Sequence, residues 1–265
     1  MNVNKKGADI WFMRKNKLRY LIGFIVVIII SFFIMYNHYK KPEIVTPSDG
    51  NRYNRGHNIP GKLYWAGSDQ DKMVALTFDD GPEEYWTPKI LDILKEKNVK
   101  ATFFVIGQQA KKYPEMLRRI NSEGHVIGDH TFDHVDLRKL DAQEADKEIE
   151  KCAILIHEII GKTPSLVRPP FGFHNATVDN VIYSKNEIII LWSLDTEDWT
   201  GLDAETVKAR VLPKMQNGFI VLQHDGDNPK LGGSVQALPD IIDGLKAQGY
   251  IFVTVAELLN IQPYQ

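Results

Sequence analysis

Apolar residues follow two regimes along this chain. From Tyr20 to Tyr36 the sequence YLIGFIVVIIISFFIMY is apolar on every side, with only Gly23 and Ser31 interrupting seventeen uncharged residues. From Lys72 onward, short β-rich runs alternate instead with stretches of helical period. Met73 to Phe78, Ala101 to Val105, His125 to Asp129, Leu166 to Arg168, Glu187 to Ser193, Phe219 to Gln223 and Tyr250 to Val253 predict strands. Between them, Thr87-Pro88 reads as an N-cap with Pro at the first helical position, followed by an apolar face of Ile90, Leu91 and Leu94. A helix from Pro114 ends at Gly124. Asp141 with Glu144 makes a capping-box start for a helix carrying Ile149, Cys152, Ile156 and Ile159, which Gly161 stops. Cys152 is therefore expected in the core. Further helices are expected over 176–184, 204–216 and 235–248. Regular β/α alternation predicts an α/β fold with a parallel sheet, and seven or eight units in about 190 residues suit a closed or nearly closed barrel. The domain is expected to span residues 71–265.

The apolar run has a different role. Extended to residues 20–39 it has roughly the length a bilayer requires. Arg14, Lys15, Lys17 and Arg19 precede it, so residues 1–19 are expected in the cytoplasm and everything beyond the run outside it. A cleaved signal peptide is the rival reading, but the run is long for one and closes on Phe33-Ile34-Met35-Tyr36 without a small-x-small site. An uncleaved single-pass transmembrane anchor is the expectation. Residues 40–70, with Pro42, Pro47, Gly50, Gly56, Pro60 and Gly61 and no apolar period, read as an extracytoplasmic linker.

Composition narrows the partners. With 265 residues, 43% hydrophobic and 25% charged, the chain is of globular type, which excludes collagen, coiled coil and wholesale disorder. The net charge of −2 divides unevenly: residues 1–60 hold 10 Lys and Arg against 3 Asp and Glu, the remainder 22 against 31. A domain that acidic is a poor match for nucleic acid, whose binding depends on cationic side chains at phosphates. A single Cys excludes an internal disulfide and a Cys-rich zinc module, so any metal must be held by His and carboxylates.

Ionisable residues collect at the C-terminal ends of the predicted strands, where such folds place their chemistry. Asp79 and Asp80 follow the first strand and His130 and His134 the third; Arg168 ends the fourth, Asp195 follows the fifth and His224 the sixth. Singly, each is an ordinary turn residue or a satisfied histidine. Together they converge on one rim. Two imidazoles four apart can share an ion, and the Asp pair supplies a carboxylate; two His, one Asp and open positions make a catalytic rather than a structural metal site. That ligand set takes one divalent ion, zinc first, with cobalt, nickel or manganese also fitting. Adjacent carboxylates cannot flank a sugar bond at the ~5–9 Å separation of a glycosidase pair. One can instead bind metal while the other removes a proton from water. His224 would protonate a leaving group, a buried carboxylate such as Asp195 would raise its pKa, and Arg168 would orient Asp79.

The residues that carry this chemistry sit in five ordered motifs: Thr77-Phe78-Asp79-Asp80-Gly81-Pro82, His130-Thr131-Phe132-Asp133-His134, Arg168-Pro169-Pro170-Phe171-Gly172, Asp195-Thr196-Glu197-Asp198-Trp199 and Leu222-Gln223-His224. Over residues 70 to 260 they resemble the polysaccharide deacetylases, the NodB-homology domain of carbohydrate esterase family four. The resemblance implies a distorted (β/α)7-8 barrel, with Asp79 as catalytic base, Asp80, His130 and His134 as metal ligands, Arg168 orienting Asp79, His224 as general acid and Asp195 tuning it. It also implies a substrate-binding edge of Pro170, Phe171, Trp199 and Leu222, where the Phe171 N–H assists the oxyanion and Trp199 and Leu222 wall an acetyl pocket. Many relatives carry Tyr where Phe171 stands, so a hydroxyl contact to substrate is lost here. An intact Asp80 favours N-acetylglucosamine over muramic acid as substrate. The expectation is a membrane-anchored hydrolase of carbon–nitrogen bonds other than peptide bonds, acting on wall peptidoglycan as its polysaccharide partner. Chitin oligosaccharides, exopolysaccharide and acetylxylan are alternatives of the same class, and a glycan-binding module is the non-enzymatic one. A metalloprotease does not fit, because His-x-x-x-His lacks Glu after the first His. His174 is placed at the cleft, whereas His38, His57, His125 and His157 receive no role.

Overall fold

The strand runs read from the sequence assemble into one parallel sheet in the computed structural model, which describes residues 56–265. Among these residues the strands are β1 (Leu63–Tyr64), β2 (Met73–Asp79), β3 (Thr102–Val105), β4 (Val126–Asp129), β5 (Leu166–Val167), β6 (Ile188–Ile190), β7 (Leu194–Asp195), β8 (Phe219–His224) and β9 (Ile251–Phe252). The helices are α1 (Trp86–Glu96), α2 (Gly107–Lys112), α3 (Pro114–Ser122), α4 (Ala142–Ile160), α5 (Ala176–Ser184), α6 (Ala204–Val211), α7 (Gly232–Ala247) and α8 (Val255–Leu259). The expected anchor at residues 20–39 lies outside the described residues; among those described, no helix is long and apolar enough to cross a membrane.

The sheet runs β1-β6-β5-β4-β3-β2-β8-β7, with β9 on β2, and every ladder is parallel. It curls into a half-barrel, more open than the closed or nearly closed distorted barrel expected. β1 and β7 are its ends, and an antiparallel bridge between Ala66 and Phe219 spans the seam. Because helices cover the sheet, β2 is buried along nearly its whole length and reads as an unbroken apolar run. The register aligns Asp79 with His224 and Asp195 with Leu222, while β4 and β5 pair through Asp129 and Val167. Five strand ends thus meet at one rim.

Several elements depart from the sequence reading, each for a local reason. The run Glu187 to Ser193 narrows to β6, and a separate strand, β7, follows it at Leu194. The Arg168 guanidinium takes the carbonyls of Ile190 and Leu191, and beyond them the chain passes to β8, where Ser193 N–H donates to Ile220. Helix α1 starts at Trp86, not after Thr87, because the Glu83 carboxylate accepts the N–H groups of Trp86 and Thr87. Helix α6 ends at Val211, because Pro213 has no N–H with which to continue the helical hydrogen-bond ladder. Residues 56–70, expected as linker, carry β1 and the buried Leu63 and Trp65. The folded unit therefore begins ahead of residue 63. Helix α4 follows expectation, with a complete Asp141–Glu144 capping box, a left-handed Gly161 and a buried Cys152.

Candidate active site

Asp79 ends β2 and is nearly inaccessible, yet it is not isolated. Arg168 Nη1 donates to its Oδ1 at 2.7 Å and to Thr77 Oγ1 at 2.8 Å, while Nε and Nη2 reach the Ile190 and Leu191 carbonyls at 3.0 and 3.1 Å. The guanidinium is 0% exposed and lies 4.1 Å from the Phe104 ring centroid. Burial lowers its pKa and the Asp79 charge opposes that. An Arg remains cationic under such a shift, so the pair is a fixed strut under the base of the site.

Asp80, in a left-handed conformation at φ 77°, turns its carboxylate the other way. Its Oδ1 is buried, accepts no hydrogen bond, and faces His130 Nε2 at 3.4 Å and His134 Nε2 at 3.2 Å. His130 Nδ1 lies 2.6 Å from the Arg168 carbonyl, an acceptor only, so the ring proton sits on Nδ1 and the Nε2 lone pair points at Asp80. Burial and the neighbouring His130 push the His134 pKa below the ordinary histidine value. Burial opposes charge on Asp80, but His130, His224 and His134 override it and hold its carboxyl low. One atom from each of Asp80, His130 and His134 lies within 4.8 Å of the others. An orphaned buried carboxylate oxygen between two imidazole lone pairs fits a divalent cation with open positions.

His224 ends β8 beside Asp79. Its partner is not the carboxylate expected from the sequence: Asp198 Oδ1 stands 2.7 Å from His224 Nδ1, and Asp198 Oδ2 accepts the His224 N–H at 3.0 Å and the Ser234 hydroxyl at 2.9 Å. Asp195 instead accepts the Glu197 N–H at 2.8 Å. The left-handed Glu197, φ 51°, starts the turn Asp198–Thr200 that swings Asp198 inward. Burial favours neutral imidazole at His224, but the Asp198 charge and hydrogen bond, helped by Asp80 and Asp79, push its pKa up to about 10. The arrangement can therefore hold a proton on one side of the site and place a carboxylate for accepting one on the other.

Known proteins resemble this chain in sequence and fold. The polysaccharide deacetylase family model matches residues 66–186. The chain is 44% identical over 187 residues to a peptidoglycan-N-acetylglucosamine deacetylase of Bacillus cereus, covering 71% of this chain and 68% of that one. The chain belongs to the polysaccharide deacetylase family. A relative named PgdA in Listeria monocytogenes, also a peptidoglycan-N-acetylglucosamine deacetylase, is 42% identical over 188 residues, which is 71% of this chain but 39% of that longer protein. The crystal structure of the Bc1960 peptidoglycan N-acetylglucosamine deacetylase, bound to 4-naphthalen-1-yl-N-oxidanyl-benzamide, superposes with TM-score 0.76 at 40% identity over 77% of this chain and 95% of that one.

The four residues expected to bind substrate in this polysaccharide deacetylase domain divide by exposure. Phe171 and Trp199 are 51% and 52% exposed, whereas Leu222 and Pro170 are buried. Phe171 is left-handed, φ 62°, and the turn hydrogen bonds are made by Gly172 and Phe173, which leaves the Phe171 N–H out of them. His174 pairs with Asp179 of α5 at 2.7 Å. Sequence reasoning missed Glu83, Thr87 and Asp225. Asp225 is fully buried, accepts from Gly81 N–H at 3.2 Å and Thr87 Oγ1 at 2.7 Å, and gives its own N–H to the Asp79 carbonyl at 2.9 Å. A Cβ on Gly81 would stand 2.2 Å from the Asp225 carboxylate, so only glycine permits this closure. The one available signal was its position directly after His224.

Proposed function

We propose that this chain removes the N-acetyl group from N-acetylglucosamine residues of peptidoglycan, releasing acetate and leaving a free amine on the sugar. The observation that carries the reading is the β2–β8 register, which sets Asp79 against His224 with the Asp80, His130 and His134 cluster beside them. Asp79, oriented by Arg168, takes the proton of the attacking water as it adds to the acetyl carbon. His224, kept protonated by Asp198, gives a proton to the sugar nitrogen as the carbon–nitrogen bond breaks. The Phe171 N–H faces the developing oxyanion, and Trp199 and Leu222 enclose the methyl group. A divalent ion held by Asp80, His130 and His134, zinc first and cobalt, nickel or manganese as substitutes, would supply carbonyl polarisation and a water of lowered pKa. Asp195 serves the turn that presents Asp198.

The location proposed is extracytoplasmic, with the apolar run from Tyr20 to Tyr36 as a single-pass anchor and the cationic Arg14, Lys15, Lys17 and Arg19 retained inside. That setting places wall glycan within reach. The test is acetate release from peptidoglycan and from chitopentaose by the purified full-length chain, chelated and then reloaded with zinc. Asp79→Asn should lower release about 10²–10⁴-fold with metal content unchanged. Release from neither glycan, with metal bound, would overturn the reading in favour of a binding module.

A further inference from the structure

One aromatic group on the rim is used by none of this chemistry. Tyr85 is 56% exposed on the loop between β2 and α1, and its ring meets Trp86 edge-on at 4.5 Å between centroids. Trp86 is held in place: its Nε1 donates to the Asn228 carbonyl at 2.9 Å, and its far edge lies 3.6 Å from where a Cβ on Gly232 would be. Asn228 in turn donates through Nδ2 to the Trp199 carbonyl at 3.1 Å. Thr87, the next residue, is bonded to Asp225, which follows His224. The pair is thus tied to the two residues that bound the acid side of the site. Lys89, one turn into α1, sets its ammonium 3.2 Å from the Tyr85 ring centroid and 4.9 Å from that of Trp86.

We propose that Tyr85, backed by Trp86, is a shelf for the pyranose next to the one being deacetylated, and that Lys89 selects a ring bearing a carboxylate. This rests on the deacetylase reading above and extends it. His224 must approach the sugar nitrogen, so the reacting ring stands on the His224 side and its neighbour lies farther along the same rim, where Tyr85 is. The apolar CH face of a pyranose stacks on an exposed aromatic ring, and Trp86, fixed by Asn228, holds that ring at little entropic cost. An ammonium on the ring is shared between the aromatic face and solvent, and it complements an anion on the sugar placed against the shelf. In peptidoglycan every second ring bears a lactyl ether, whose carboxylate is exposed once the stem peptide is removed. Chitin carries no such group.

The experiment compares kcat/KM of the zinc-loaded full chain on four substrates. These are N-acetylglucosamine, chitobiose, chitotetraose, and a tetrasaccharide of alternating N-acetylglucosamine and N-acetylmuramic acid with free lactyl carboxylates. Tyr85→Ala should lower the chitobiose-to-monosaccharide ratio about tenfold, mostly through KM, and Tyr85→Phe should restore it. Lys89→Gln should lower the preference for the carboxylated over the neutral tetramer up to about fivefold and flatten its salt dependence. Equal losses on monosaccharide and chitobiose would show that the loop supports the site rather than a neighbouring ring and would overturn the shelf. An unchanged preference in Lys89→Gln would overturn the selection of a carboxylate. Failure of the deacetylase reading itself is a separate result, since the unsubstituted protein would then release acetate from none of the four.

Discussion

Two carboxylate–cation pairs flank the site at the same distance, 2.7 Å, and do opposite work. Asp79–Arg168 is fully enclosed, and its cation has further acceptors in Thr77, Ile190 and Leu191. Asp198–His224 lies nearer solvent, and its cation is an imidazole whose ordinary pKa is 6.5, pushed up to about 10. A guanidinium cannot release its proton in the accessible pH range, so the first pair can only hold position. An imidazolium can, so the second can deliver a proton and recover it. The same contact length gives a strut in one place and a proton store in the other, and the choice of base decides which.

The comparison breaks most severely at Arg168. Arg168→Met strands the Asp79 carboxylate in the interior, and urea denaturation should show a loss of about 3–5 kcal/mol together with loss of acetate release. Undiminished stability would mean that the guanidinium is not a strut. A smaller effect is expected at the other pair. Asp198→Asn removes the charge that raises the His224 pKa, and the alkaline limb of kcat/KM should move down by more than about one pH unit, each unit being ~1.4 kcal/mol. The same pair contributes stability that is whole below pH 6.5 and lost as pH rises through about 10, so the variant and the unsubstituted protein should converge in stability above that pH. The smallest effect belongs to Asp195→Asn. That carboxyl is already raised by burial and is bonded to Glu197, so activity should stay within about threefold and the alkaline limb should not move. A shifted limb in Asp195→Asn, with none in Asp198→Asn, would reverse the assignment of the two residues.

That last pair also marks where sequence reasoning stops. The strand ends were legible because β2, β4, β5 and β8 are buried apolar runs followed by charge, and parallel pairing brings such ends to one rim. The cluster of Asp80, His130 and His134 follows from spacing and from adjacency to Asp79. In Asp195-Thr196-Glu197-Asp198-Trp199, by contrast, two carboxylates three apart are equivalent on paper. Which one turns inward depends on the left-handed backbone at Glu197, a conformation uncommon for a residue other than glycine and without local signature. Helix α2, with the sequence Gly107-Gln108-Gln109-Ala110-Lys111-Lys112, has no apolar period to announce it. The break between β6 and β7 depends on Arg168, some twenty residues earlier, capturing carbonyls that a continuous strand would have used.

Strand β1 adds a mechanical consequence. Whatever precedes residue 56 is joined to the domain through this strand, whose residues are stitched to β6 by Ile189 N–H to the Lys62 carbonyl at 2.7 Å and Leu191 N–H to the Tyr64 carbonyl at 2.8 Å, with Leu63 and Trp65 sunk in the core. The chain reaches β1 by doubling back on it: Ile59 bridges Leu63 antiparallel, and the Asn58 side chain accepts the Trp65 N–H and donates to the Ala66 carbonyl, both at 2.8 Å. A pull on the preceding residues therefore meets the Ile59–Leu63 hairpin before it meets the β1–β6 ladder. The hairpin and its Asn58 clasp act as a mechanical fuse, yielding locally while the sheet that positions Asp80, His134 and Asp198 keeps its register.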